Sequence, residues 1–377
     1  MDEAVKNKAI EWAKAAYNYN VCIDEIISVI SPDSYCFSIS YKNNKYQCGY
    51  IILEYINDDF IVSEYSTASN VTNMYSDIRK HIYNDRAYNR CKSIGKFMFK
   101  AGSINYAVGF IDEKGKLNNE DLYGRPIKTP EYVTDKVYTY SNSSDIFIKD
   151  NDFKSKRKYK ISENLSLDIS GTKFKSGSRK GEYKAYDKNS YTNITKKWNC
   201  GVTAGLHILA IKGAVKESIT NEGLAKIYNR LFFHVRSQSL DYYTGINNSI
   251  KVYGVEPAYA DEAIRSYFKY DTKFTNTTSI HATNPSIIWF KLQLSLDRPI
   301  MFCYYILTKG KGKSGHAITV FGYRIASEVI NHDKKQYSKS YNYLAVFDGW
   351  NSKERYINYS TIDFCETTHA YSYICKT

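Results

Sequence analysis

The eight cysteines, at 22, 36, 48, 91, 200, 303, 365 and 375, include no C-x-x-C pair, so the usual spacing of a zinc ribbon or a dithiol redox motif is missing. No metal or cofactor is expected. No apolar run reaches membrane-spanning length, which argues against a transmembrane segment. Charges run through Met1 to Trp12, so these residues do not read as a signal peptide. The compartment stays open: cytoplasm, or the cell envelope or exterior if a leader has been removed. Acidic residues are in the minority, 39 against 52 basic, leaving a net charge of +13. Such a balance favours anionic surfaces in general. The basic stretches 154–160 and 173–181 sit in no recognisable nucleic-acid module, so a nucleic-acid partner is not expected.

What is present is a chain of 377 residues with 43% hydrophobic content, enough for one large core or two domains. Most cysteines lie in apolar or strand-like surroundings, as Cys303 does in Pro299 to Tyr304. A small buried thiol is the ordinary reading there, and reduced cysteines are expected.

Residues 2–18 place Val5, Ile10, Trp12, Ala13 and Ala16 among charges at near-helical spacing, predicting an amphipathic helix. Apolar and β-branched runs follow at Ser34–Tyr41, Gln47–Tyr55 and Phe60–Tyr65, separated by turn-forming clusters at 42–45 and 57–59. They predict a β-meander. A polar helical patch near 72–93 and a strand over Asn105–Ile111 complete an N-terminal domain at 1–135. The Ser, Lys, Asn and Gly content of the next stretch predicts a basic linker or long loop over 136–190. The remainder, 191–377, forms a second domain.

Within that second domain, Trp198-Asn199-Cys200 opens a long apolar run that predicts a buried helix. A cysteine at a helix N-terminus meets unpaired backbone N–H groups and the positive end of the helix dipole, which favour the nucleophilic thiolate. Ser314 to Tyr323 reads as a glycine turn, His316, then a strand, and Tyr343 to Asn351 as a buried strand ending in Asp348, Gly349 and Trp350. Cysteine, histidine and carboxylate in this order supply a nucleophile, its base and the group that orients the base. His207 is excluded as the base, since seven helical residues separate it from Cys200 by about 10.5 Å. His81, His234, His281, His332 and His369 lack comparable surroundings and are expected in packing or at the surface. Gly310 to Ser314 is not a phosphate loop, because the position of its first glycine is Leu307.

Cys200-Gly201 on a helix, Gly315-His316-Ala317 opening a strand and Asp348-Gly349-Trp350 closing the next resemble the papain-fold cysteine peptidases. The streptopain-like and bacteriocin-processing branches are the nearest in pattern. The likeness spans about residues 195–360 and includes the helix, Arg298-Pro299 and strand that precede His316. It implies an α+β fold: a papain-like two-lobed peptidase domain preceded by a smaller helix-plus-antiparallel-meander domain, the latter similar to an inhibitory prosegment. It further implies hydrolysis of a peptide or protein substrate through a Cys200 thioester, with His316 as base, Asp348 as orienter and Trp350 shielding their contact. Plant-type members carry Asn-Ser-Trp at the third site, where this chain has Asp-Gly-Trp.

One departure from the family concerns the oxyanion. Members use a glutamine upstream of the cysteine, whereas the nearest preceding glutamine here is Gln47. The Cys200 backbone N–H is then one donor, and Asn193 is the expected second, ahead of Asn199. Acyl transfer to an amine, or a degenerate papain-fold binding protein, are the alternatives to hydrolysis. A zymogen cut within the basic stretch is the regulation that the order of parts suggests.

Overall fold

The computed structural model describes residues 3–17, 20–30, 34–43, 46–68, 98–102, 105–111, 117–121, 157–169, 200–215, most of 223–231, 256–274, 276–308, 312–332, 335–349, 354–362 and 367–376. These residues form helices and a large, mostly antiparallel sheet, so the class is α+β with sheet predominating. They divide into two compact units that do not follow the order of the chain. One contains residues 1–164, 324–343 and 355–362, and the other 165–323, 344–354 and 363–377.

In the first unit, α1 (Glu3–Tyr17) is followed by β1 (Val21–Ile30), β2 (Ser34–Tyr41), β3 (Gln47–Ile56) and β4 (Asp59–Ser66). These four strands are the expected meander with β1 added, paired antiparallel in sequence order. The turn between β3 and β4 holds Asn57 and Asp58 at positive φ, a backbone that short polar side chains tolerate. Beyond β1 lie β5 (Met98–Gly102), β6 (Asn105–Ile111) and β7 (Leu117–Asp121), with β1 and β5 paired parallel.

On the other side, β13 (Arg355–Asn358) pairs with β4. Next to it come the first parts of β12 (Lys335–Phe347) and the last part of β11 (Gly312–His332). Trp12 of α1 is fully buried among Tyr65, Tyr159 and Tyr343, with ring centroids 5.1 to 5.5 Å away. The N-terminal domain expected at 1–135 is therefore completed by chain from the C-terminal half, because β4 pairs with β13 and both Trp12 of α1 and Tyr65 of β4 pack on Tyr343 of β12. The stretch expected as linker at 136–190 also contains a strand, β8 (Arg157–Ser166), hydrogen-bonded to β11.

In the second unit, α2 (Cys200–Ile211) and α3 (Pro257–Asp271) precede β9 (Asn276–Thr283), α4 (Ile287–Ser295) and β10 (Ile300–Thr308). The strands run in the order β12, β11, β10, β14 (His369–Lys376), β9. Ser286 caps α4 by accepting from Trp289 N at 3.2 Å, which ends the preceding turn and starts the helix. From Gly201 to Ala210 every residue of α2 is buried, as expected of a helix apolar on all sides. Its small residues set how closely it packs. A Cβ on Gly201 would lie 3.2 Å from Ala260 Cβ, and one on Gly205 would lie 2.8 Å from Ile264 Cγ1. The two pairs advance together along both helices, so α2 and α3 run side by side in the same direction. Helical residues between 223 and 231 add Leu224, Tyr228 and Leu231 to this core.

Candidate active site

The helix predicted to open at Cys200 does open there. Cys200 is half-buried and packs against the apolar cluster that contains Cys303 and Ala317. Two further contacts fix α2 on the sheet. Thr319 Oγ1 of β11 donates to the Ala204 carbonyl at 3.2 Å. One turn from Cys200, Thr203 meets the residue after Asp348: a Cβ on Gly349 would come within 3.2 Å of Thr203 Cγ2. Gly349 has φ +78°, a conformation that favours glycine, so both the turn and the close approach call for this residue.

His316 lies on β11, opposite Tyr304 of β10, whose ring packs edge-on at 5.9 Å. Ala317 and Thr319 of β11 face α2. The His316 ring is only 6% exposed, and its Nε2 lies 2.8 Å from the main-chain oxygen of Asp348. A carbonyl oxygen can only accept, so Nε2 carries the hydrogen and Nδ1 of the neutral ring holds the lone pair. The orienting contact expected from the Asp348 carboxylate is not among the contacts described; the hydrogen bond that is described is to the main-chain oxygen of Asp348. Asp348 itself is buried.

The thiols nearby differ in character. Cys303 is register partner to Ala317, beside His316. Burial first, then the charges of Cys200 and Asp261, push its thiol well above the ordinary range. Burial similarly raises Cys48 to about 12 and Cys375 to about 11. Cys22, Cys36, Cys48, Cys200, Cys303 and Cys375 take part in no disulfide among the described residues.

Asp261 on α3 is buried beside this cluster. Its Oδ2 accepts from Arg265 Nε at 2.9 Å and Ser279 Oγ at 3.0 Å. Cys303 and Asp261 carry no motif by which a sequence could select them, since strand pairing and helix packing bring them in. His207 is buried against the Phe347 ring at 5.0 Å, in the packing role expected. His281 and His369 lie on adjacent strands; burial, then the neighbouring His281, hold His369 below the usual histidine range.

Asn193, Asn199 and Trp350 lie outside the described residues, as do His81 and His234. Of the basic glycine loop before His316, Gly312 to Ser314 are paired in β11 opposite Thr308 to Ile306. Among the described residues, no group of three or more His, Cys, Asp or Glu is arranged to hold a metal ion, and no helix is long and apolar enough to cross a membrane. Compared with protein-family models, curated proteins and solved structures, the chain matches none.

Proposed function

We propose that this chain is a cysteine peptidase of papain-like, two-lobed architecture that hydrolyses peptide bonds in a peptide or protein substrate. One observation carries the reading. The first turn of α2, which begins at Cys200, abuts Gly349, and the preceding residue takes the Nε2 hydrogen of His316. That bond leaves His316 Nδ1 as the basic nitrogen.

In this mechanism Nδ1 takes the Cys200 thiol proton and the thiolate attacks the substrate carbonyl carbon. The oxyanion is held by the Cys200 main-chain N–H and the Asn193 side-chain amide. As the C–N bond breaks, the imidazolium returns its proton to the leaving amine. Water, deprotonated by Nδ1, then attacks the thioester; the C–S bond breaks, the acid is released and the sulfur is reprotonated. Trp350 excludes water from the His316 contact in this reading. In this reading the N-terminal unit stays with the enzyme; the grouping of residues 324–343 and 355–362 with it supports this.

Peptide-library hydrolysis by the full chain and by Cys200→Ala tests the proposal. Cleavage by the parent and its loss in the variant are expected; equal cleavage by both would overturn it. A second reading, a papain-fold binding protein without turnover, draws on the neutral acceptor at His316. A carbonyl stabilises an imidazolium less than a carboxylate does. Under that reading Cys200→Ala keeps every effect of the parent.

A further inference from the structure

Asn284 N, one residue beyond β9, donates to Thr368 O at 2.9 Å, and Tyr373 N of β14 donates to Pro299 O at 3.2 Å. Both bonds continue the registers in which β9 pairs with β14 and β14 with β10. Main-chain groups of an antiparallel strand alternate between its two edges. Thr278, Ile280 and Ala282 of β9 therefore bond to β14, whereas Thr277, Ser279, His281 and Thr283 turn their N–H and C=O groups outward. Among the described residues no strand pairs with that side, because β9 ends the sheet.

Sheet edges are usually guarded by charge, proline or a bulge. β9 has none of these: it contains no Lys, Arg, Asp, Glu or Pro, and its eight pairs with β14 run without a shift. Every position is at least partly exposed, and Thr277, Thr278, Ile280 and Thr283 are β-branched, which suits a further strand pairing. Only Asn284 to Ser286 separate β9 from α4, where Ile288 is 73% exposed, Leu292 53% and Leu296, at its C-cap, 50%. At spacings of four these three side chains form one apolar stripe. Gln293 Oε1 of α4 accepts from Ser372 Oγ at 2.9 Å, and Ser372 is the register partner of Ile280. Directly opposed residues share a face, so α4 covers the face of the sheet that carries Ile280.

We propose that β9 pairs antiparallel with β9 of a second copy, extending the sheet across a two-fold axis, with α4 of each copy flanking the axis on one face. Alternation selects the register, since outward groups must meet outward groups. The register that uses all four sets Thr277 against Thr283 of the second copy and Ser279 against His281, with Ile280 beside its own equivalent on the axis. Each of those pairs exchanges two main-chain hydrogen bonds. A second copy fits because the uncharged strand meets itself without repulsion and because Ile280 and the α4 stripe place apolar surface on the same face in both copies. Such an isologous contact closes at two chains. Two strand edges with their helix faces approach the lower limit for a stable interface, about 1,200 Å² in total. Association in the micromolar range is expected.

Sedimentation equilibrium of the full chain from about 1 to about 100 μM tests the proposal. A mass of twice the 43.5 kDa of one chain is expected at the upper end, falling on dilution. Thr283→Pro removes an outward N–H and leaves the bonds to β14 in place, and Leu292→Glu puts a charge into the α4 stripe. Each variant, shown to be folded by circular dichroism, is expected to dimerise at least about tenfold more weakly. Amide-resolved hydrogen exchange of the parent needs no variant: the Ser279 and His281 N–H groups should exchange slowly in the dimer and quickly in the diluted monomer. A parent that is monomeric at every concentration, a mass above two chains, an affinity unchanged in either folded variant, or fast exchange at Ser279 and His281 in the dimer would overturn the proposal. Because the readouts are mass and exchange, and no residue of β9 or α4 takes part in the chemistry at Cys200, the peptidase proposal stands or falls separately.

Discussion

His316 Nε2 lies 2.8 Å from the main-chain oxygen of Asp348. A peptide oxygen survives any change of side chain. Asp348→Asn is therefore expected to lower kcat/KM by no more than about tenfold, against the roughly 10⁴-fold loss seen where a carboxylate itself holds the catalytic histidine. His316→Ala should cost at least about 10³-fold. Steady-state hydrolysis of one peptide by the three proteins decides the matter, and a collapse of Asp348→Asn to the level of His316→Ala would return the orienting role to the carboxylate.

Thiol reactivity should separate Cys200 from its neighbours. A thiol raised to about 12, as Cys48 is, or to about 11, as Cys375 is, holds little thiolate near pH 7.5, and Cys303 is shifted in the same direction. Iodoacetamide at a limiting concentration is expected to modify Cys200 at least about tenfold faster than these three. Peptide mapping by mass spectrometry reads the ratio. Equal rates across the four would remove the case for an activated cysteine.

The buried ion pair of Arg355 and Glu64 ties β13 to the meander, with Arg355 Nε donating to Glu64 Oε1 at 2.8 Å. Both side chains are almost fully buried, and the Tyr50 hydroxyl also donates to Glu64. Removing one partner strands a charge, so Arg355→Leu should cost about 3–5 kcal/mol in urea unfolding. The same contact bears on truncation. A chain beginning near residue 180 would leave Arg355, and the Tyr343 hydroxyl that donates to Val62 O at 2.9 Å, without their partners. It is expected to be insoluble or no more active than the full chain. A soluble, more active fragment inhibited by added residues 1–130 would instead establish the removable prosegment that the sequence suggests.

Alkaline pH should unfold the protein early. Burial raises the hydroxyls of Tyr17, Tyr65, Tyr106 and Tyr343, and pushes Tyr359 up to about 12. A raised folded pKa means that the native state keeps its proton while the unfolded chain releases it. This stabilisation is complete below the unfolded tyrosine value of about 10 and is lost as pH rises through the folded values. Urea midpoints at pH 8, 9, 10 and 11 are expected to hold to about pH 9 and then fall steadily. A flat profile to pH 11 would mean that these hydroxyls are not protected from ionisation.

Local pattern determined much of this protein. The meander strands at 34–41, 47–56 and 59–66 and the helix from Cys200 stand where alternation, turn clusters and a continuous apolar run predict them, because each is specified by neighbours in sequence. The three motifs around Cys200, His316 and Asp348 are legible for the same reason. Tertiary structure decided the rest. Arg157–Ser166 is polar and lies in a stretch that reads as linker, yet it forms a strand because β11 offers an edge. Tyr159 donates to Glu328 at 2.8 Å, and Ser162 to Ile325 O at 3.1 Å. Arg355–Asn358 contains an arginine and an asparagine, residues that alone predict a surface, but all four of its positions are buried because Glu64 and the Val62 carbonyl wait for them. Which atom of Asp348 meets His316 depends on how β11 and β12 are registered, and register is set by contacts far apart in the chain.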